Sequence, residues 1–246
     1  MTSAYRGGRN GKLARVDLRD AWERNAADWV RWARKPGHDS YWRFHRERFL
    51  DLVPPPGRLT LDIGCGEGRV TRDLAELRHH VTGIDASPTM IAAAKDADPD
   101  GDYVLADAAR LPFADGHADL VVSFMSLMDV DDMPNAVREL ARVLEPGGRL
   151  ALAVVHPINS GHEVDRVQPE DRLVLTEDYF DRRRYSDTIE RDDVRMTFES
   201  RHWTLEDYFS ALLEAGFRVE AVREVGDPEH PRWSRYPLFL HVLASK

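Results

Sequence analysis

The chain has 246 residues, 42% of them hydrophobic, enough for one substantial core and near the upper size at which a single α/β domain stays undivided. Its formal net charge of −9 is uneven: residues 1–50 carry 12 Lys/Arg against 6 Asp/Glu, and the remainder carries 22 against 37. An acidic body argues against the broad basic face with which nucleic-acid enzymes neutralise phosphates, and the single cysteine, Cys65, excludes an intrachain disulfide and a cysteine-based metal cluster.

The opening Met-Thr-Ser-Ala-Tyr-Arg-Gly-Gly-Arg lacks the apolar stretch of a secretory signal, and no apolar run approaches the roughly 18 residues of a membrane span. A soluble, cytoplasmic protein with no nucleic-acid or membrane partner is expected. Residues 1–14 read as polar and loose. From 16 to 52 the pattern is helical, with Trp22, Ala26, Trp29 and Ala33 at helical spacing. Pro36-Gly37 interrupts it, and a second helix holds Tyr41, Trp42, Phe44, His45 and Phe49. Pro54-Pro55-Pro56-Gly57 is a rigid joint, separating an N-terminal tail and helical part over 1–57 from a main domain over 58–246.

Past the joint, short apolar segments alternate with helical ones. Leu59–Ile63, Val81–Ile84, Tyr103–Ala106, Asp119–Phe124 and Leu150–Val155 read as strands, and 68–78, 88–95 and 134–144 as helices. That alternation predicts a doubly wound, mostly parallel sheet covered on both faces. Ser87 before Pro88 is a helix start, and Glu145-Pro146-Gly147-Gly148 reads as a turn before the fifth strand. Residues 157–203 are charged and tyrosine-rich without a clear helical period, and read as an insertion of loops and short strands. Thr204-Leu205-Glu206-Asp207 opens a capped helix closed by Gly216. Phe217–Val225 and Tyr236–Ala244 supply two last strands, the second with antiparallel character. The histidines are scattered and His79-His80 is a poor ligand pair, because adjacent side chains on a strand point oppositely. No metal site is expected.

The chemistry centres on Leu61-Asp62-Ile63-Gly64-Cys65-Gly66-Glu67-Gly68, an apolar strand running into a Gly-x-Gly-x-Gly turn and then a helix. Glycine lets the main chain turn sharply and approach a bound cofactor closely. Asp85, in Gly83-Ile84-Asp85-Ala86-Ser87, lies 17 residues after Gly68, where a carboxylate can accept both hydroxyls of a ribose. Asp107, in Leu105-Ala106-Asp107-Ala108, could accept from the exocyclic amine of an adenine. A nicotinamide enzyme is the nearest competitor, but its usual turn is Gly-x-Gly-x-x-Gly, and here the third glycine arrives one residue early.

This order and spacing, with Leu144-Glu145-Pro146-Gly147-Gly148-Arg149-Leu150 leading into the fifth strand, resemble the class I, Rossmann-like S-adenosylmethionine-dependent methyltransferases. The likeness is to the ubiquinone/menaquinone C-methyltransferases and the bacterial natural-product enzymes. It is strong over 59–156, moderate over 204–246 and nearly absent in the insertion. It implies S-adenosyl-L-methionine as cofactor and a seven-stranded sheet, with the N-terminal helices as a lid. By the same resemblance Asp62, Gly64, Cys65, Gly66 and Gly68 line the methionine moiety. Asp85, with Ala86 and Ser87, holds the ribose; Met90 lies against the adenine, whose edge Asp107 and Ala108 read; and Ser123, next to Phe124, meets the methionyl amine. Trp29, Arg34 and Tyr41 are candidates for the cofactor's amino-acid end.

On the acceptor side, a phenol or hydroxyl gains from a general base whereas a carboxylate needs none. His156, after the fifth strand, should project near the crevice and is the first candidate for proton removal. His202 and Asp129 are weaker ones. Trp22, Trp29, Trp32 and Trp42 supply flat apolar walls for an aromatic or terpenoid acceptor or pack the lid onto the sheet. Tyr179, Phe180, Tyr185, Phe198 and Trp203 complete the pocket or form a subunit contact. The expected function is methyl transfer to a hydroxyl or carboxyl oxygen of a small, aromatic or apolar molecule, in a monomer or homodimer. N- or C-methylation and a non-catalytic cofactor-binding regulator are the alternatives.

Overall fold

A computed structural model describes residues 17–160, 173 and 178–246. The reading of 1–14, and of 161–172 and 174–177 within the insertion, lies outside the described residues.

Seven strands form the central sheet: β1 (Thr60–Ile63), β2 (Val81–Asp85), β3 (Asp102–Leu105), β4 (Ala118–Phe124), β5 (Leu144–Val155), β8 (Arg218–Val225) and β9 (Phe239–Ser245). Their order is β3-β2-β1-β4-β5-β9-β8. β1 to β5 run parallel, and β9 runs antiparallel to both neighbours. The order reverses between β1 and β4, and that switch point is where open α/β sheets bind ligands, beyond the carboxyl ends of the strands.

Successive side chains on a strand point to opposite faces, so the sheet buries two cores. Leu61, Ile63, Val121, Leu150, Leu152, Val154 and Val242 pack with α5 (Met133–Val143) and α7 (Leu205–Glu214). Leu120, Val122, Phe124, Ala151 and Ala153 face Tyr41, Phe49 and the helix α3 (Arg69–Glu76). Local chemistry sets the helix ends. The Ser87 hydroxyl accepts from the Met90 amide at 3.0 Å, with Pro88 opening α4 (Pro88–Ala97). Thr204 and Asp207 form a reciprocal capping box at α7.

Outside this frame lie α1 (Leu18–Arg34), a π-helical turn (Tyr41–His45) continuing into α2 (Arg46–Leu50), the short α6 (Pro157–Ser160), and a hairpin of β6 (Arg184–Arg191) and β7 (Val194–Arg201). The insertion is thus more regular than its sequence suggests. Two further boundaries differ from expectation. β5 begins at Leu144, which pairs with Ala118 before an irregularity, because Gly147, at φ +80°, turns the chain without ending the strand. His79 and His80 precede β2 rather than lying on it.

α1 spans the carboxyl edge of the sheet and is tied to four different segments. The Trp22 indole N–H donates to Glu199 O at 2.9 Å and the Asn25 amide to Thr197 O at 3.1 Å, both on β7. The Leu18 amide donates to Asp131 at 2.9 Å. Glu23 accepts from the hydroxyls of Ser87 and Thr89, and Arg34 donates to Glu67 at 2.9 Å.

Candidate functional site

The turn after β1 is shaped by close approach. The amides of Gly64 and Cys65 both donate to Ile84 O, at 2.7 and 2.9 Å, locking the turn to β2. Gly64 has φ +73°, and a Cβ there would lie 2.3 Å from the Ser126 Cβ, so both conformation and space demand glycine. The Ser126 hydroxyl donates to Ile63 O at 2.8 Å and accepts from Ser123 Oγ at 2.8 Å, fixing the end of β4 against the turn. Met125, just before it, holds φ +56°, a left-handed conformation that costs a residue with a Cβ about 1–3 kcal/mol.

Asp85 ends β2 beside this turn. Its Oδ2 accepts from the Gly66 amide at 2.8 Å and its Oδ1 from the Ser87 amide at 2.9 Å. Burial raises its pKa, while those amides favour the ionised form. The side chain is half-buried and still reachable, as are Gly64, Gly66, Ala86 and Ala108. Asp107 is exposed beyond β3 and accepts from the Ala109 amide at 2.8 Å.

Other residues that the sequence assigns to the cofactor are buried and have identifiable protein partners. Asp62 accepts from Thr71 Oγ1 at 2.7 Å, and burial pushes its carboxyl up to about 7. Cys65 packs with Ile91, Ala94 and Tyr103, and burial pushes its thiol up. Gly68, at φ +85°, precedes α3 with Tyr103 Oη 2.8 Å from where its Cβ would be. Met90 and Ser87 are buried at the start of α4. Ser123 is buried through its link to Ser126, and the Phe124 ring lies 4.8 Å from Phe49 and 5.3 Å from Tyr41.

The cover over the turn is aromatic and cationic. Trp29 Nε1 would stand 3.1 Å from a Cβ on Gly66, so the indole sits over the bare main chain. The Arg69 guanidinium lies 4.8 Å from the Trp29 ring and 4.2 Å from the Tyr41 ring, and donates to Asp39 at 2.6 Å. Tyr41 Oη donates to Asp73. Arg34 and Arg72 share the buried carboxylate of Glu67, each at 2.9 Å. Arg34 and Tyr41 therefore brace the cover, while Trp29 reaches the turn itself. Trp22, Trp29 and Trp32 pack edge-on around Phe198 of β7, with ring centroids 5.9 to 6.5 Å from it, whereas Trp42 is partly exposed and donates to Ala33 O at 3.0 Å.

Neither histidine singled out for proton removal offers a free lone pair to this crevice. His202 is fully buried; its Nε2–H donates to Tyr179 O at 2.7 Å, so Nδ1 accepts from Ser160 Oγ at 2.9 Å. Both nitrogens are consumed, one in a bond to Ser160 of α6 and one in a bond to Tyr179, in the segment before β6. His156 Nδ1 accepts from the Ile158 amide at 3.1 Å, and Nε2 lies 3.0 Å from Glu224 of β8, three strands away from β4 in the sheet. Burial lowers its pKa, against the pull of Glu224. These ring orientations, which no sequence signal carries, engage both histidines, the first candidates for proton removal, with other parts of the protein.

Two acids stand at the crevice instead. Glu23, on the inner side of α1, was not singled out by the sequence; its position one residue after Trp22 on the buried helical face is the only cue. Asp129 follows β4 in a short 3-10 turn, and Ser200 Oγ of β7 donates to its Oδ1 at 2.6 Å.

These donors fit a nucleoside with an amino-acid tail. A carboxylate at the second strand end suits a diol, a bare left-handed turn admits close main-chain contact, and aromatic and cationic side chains close the far end. Among the described residues, no three His, Cys, Asp or Glu side chains converge as metal ligands. A groove of about 280 Å³ lined by Leu59, His79, His80, Asp98 and Asp102 lies at the amino ends of β1 to β3, opposite the edge where such sheets bind ligands.

The chain is similar to known proteins. A family model described as "Methyltransferase domain" matches residues 61–152. The demethylmenaquinone methyltransferase of Beutenbergia cavernae is 39% identical over 117 residues, 48% of this chain and 48% of its own. The 27-O-demethylrifamycin SV methyltransferase of Amycolatopsis mediterranei is 31% identical over 199 residues, 77% of this chain and 65% of its own. The chain thus spans about half the length of the first and under two thirds of the second. The crystal structure of an S-adenosylmethionine dependent methyltransferase from Mesorhizobium loti superposes with a TM-score of 0.68 at 26% identity, covering 85% of this chain and 98% of that one.

Proposed function

We propose, because this chain belongs to the class I, Rossmann-like S-adenosylmethionine-dependent methyltransferases, that it transfers a methyl group from that cofactor to an oxygen of a small aromatic or apolar molecule. The observation that carries the reading is the hydrogen bond of 2.8 Å from the Gly66 amide to Asp85. It brings a ribose-type carboxylate and the bare turn onto one wall of the crevice.

The bound cofactor supplies an activated methyl group on a sulfonium. The chain's own part is to hold it, to set an acceptor in line and to exclude water. Asp85 would accept from the ribose hydroxyls, with Ala86 and Ser87 beside it. Asp107 and Ala108 would border the adenine, with Met90 beneath. Gly64, Gly66 and the main chain of Ser123 would receive the methionyl end, covered by Trp29 and Arg69. Residues 1–57 would then be a lid on the domain over 58–246, and the β6–β7 hairpin would form the acceptor side of the chamber with Trp22 and Phe198.

Turnover of methyl-labelled S-adenosylmethionine with a panel of phenols, carboxylic acids and amines tests this. Labelled product from the oxygen acceptors supports it. Cofactor binding with no transfer to any acceptor would favour a non-catalytic regulator, and transfer only to amines or carbon would move the acceptor atom.

A further inference from the structure

We infer that Asp129 takes the proton from the methyl acceptor, and that the acceptor is therefore a hydroxyl compound and not a carboxylic acid. The inference rests on the methyl-transfer reading above and deepens it.

The placement is structural. Asp129 lies three residues beyond Ser126, the residue pressed against Gly64, and its amide donates to Ser126 O at 2.9 Å. Asp129 is half-buried in the short turn after β4 and belongs to neither apolar core. Ser200 Oγ donates to Oδ1 at 2.6 Å. The indole N–H of Trp22, bonded to Glu199 O at 2.9 Å, lies close enough to favour its charge. Tyr185 of β6, whose backbone pairs with Ser200, and Tyr208 of α7 lie near enough for the charge on Asp129 to raise their phenols, and Asp85 of β2 acts on it as a like charge. Next to this polar end stand the rings of Trp22, Trp29 and Phe198. An apolar ring and a hydroxyl on one small molecule match this pairing of aromatic rings with a carboxylate.

Burial raises the Asp129 pKa well above the usual carboxylate range, against the hydrogen bond from Ser200 and the nearby indole N–H of Trp22. A carboxylate so disposed is a stronger base than an exposed one. In the transfer, the acceptor oxygen bonds to the methyl carbon and the carbon–sulfur bond breaks with its electron pair left on sulfur. The hydroxyl proton passes to Asp129, which later releases it to solvent. A carboxylate acceptor has no proton to give, and would bring a further negative charge beside Asp129 and Asp85 in a site shielded from water.

Calorimetry with S-adenosylhomocysteine on the wild type and Asp129→Asn comes first, because absence of binding to the wild type would refute the methyl-transfer reading rather than this inference. With product bound, 4-nitrophenol reports its own ionisation by absorbance. The wild type is expected to bind it as phenolate, and Asp129→Asn to bind it protonated or not at all. In turnover, the phenol is expected to outpace benzoate and aniline, and Asp129→Asn to lower kcat about 100-fold with the KM for S-adenosylmethionine within twofold. Should that variant fail to fold, Ser200→Ala removes the hydrogen bond that favours ionised Asp129, and is expected to move the acidic limb of the kcat profile to higher pH. Faster methylation of benzoate or aniline, a loss smaller than tenfold in Asp129→Asn, an unmoved limb in Ser200→Ala, or no uptake of phenol by product-bound protein would each overturn the inference.

Discussion

Gly64 faces Ser126 so closely that a Cβ on the glycine would lie 2.3 Å from that of the serine, at a φ of +73°. Gly216, at φ +88°, has nothing within 4 Å of its Cβ position. Gly64→Ala should therefore suffer both strain and collision, and Gly216→Ala strain alone. Chemical denaturation is expected to give a loss of about 1 kcal/mol for Gly216→Ala and at least twice that for Gly64→Ala. Equal losses would mean that Ser126 does not constrain the turn.

Asp62 is buried and its carboxyl is pushed up to about 7. An acid that holds its proton more tightly when folded contributes stability that is complete below its unfolded value, about 4, and is lost as pH rises through about 7. Relative to Asp62→Asn, the wild type should lose on the order of 3–4 kcal/mol between pH 4 and pH 8. Denaturation midpoints followed across that range provide the comparison, and parallel profiles would contradict it.

Glu23 ties α1 to the segment after β2, accepting from Thr89 Oγ1 at 2.6 Å and from Ser87 Oγ. Glu23→Ala removes both bonds, together about 2 kcal/mol of local stability. Amide exchange over Leu18–Arg34 should then quicken by about 30-fold while the sheet is unaffected. Unchanged exchange in α1 would show that its other ties suffice.

His202, with both ring nitrogens bonded and no exposure, should act through the fold. His202→Ala is expected to cost about 2–3 kcal/mol in denaturation and to leave the pH profile of turnover unshifted. A shifted profile at unchanged stability would return the ring to the chemistry.

Much of this architecture is legible in the amino acids because short-range signals are strong there. Gly64, Gly66 and Gly68 all take positive φ, Ser87-Pro88 opens α4, and Thr204 with Asp207 caps α7. The β6–β7 hairpin is not, for a physical reason. Its two-residue loop is Asp192-Asp193, with φ of +48° and +64°, where hairpins usually advertise themselves with glycine or asparagine. Its inner face also mixes Tyr185, Asp187 and Ser200 with Phe198 and Met196, which blurs the alternation. The acceptor side was the least legible: histidine draws attention by its ordinary pKa, but whether His156 looks toward β4 or toward Glu224 depends on ring orientation. Asp129 acquires its character only when Trp22 and Ser200, distant in sequence, close around it.

The central claim is that the crevice at Gly64–Gly68 and Asp85 receives S-adenosylmethionine. Calorimetric titration of the full chain with S-adenosylhomocysteine tests it most directly, with NADH and Asp85→Ala as comparisons. Single-site uptake is expected, with no uptake of NADH and affinity at least about 100-fold weaker in Asp85→Ala, as the loss of hydrogen bonds to a charged group implies. Folded protein that takes up no S-adenosylhomocysteine, or that prefers NADH, would contradict it.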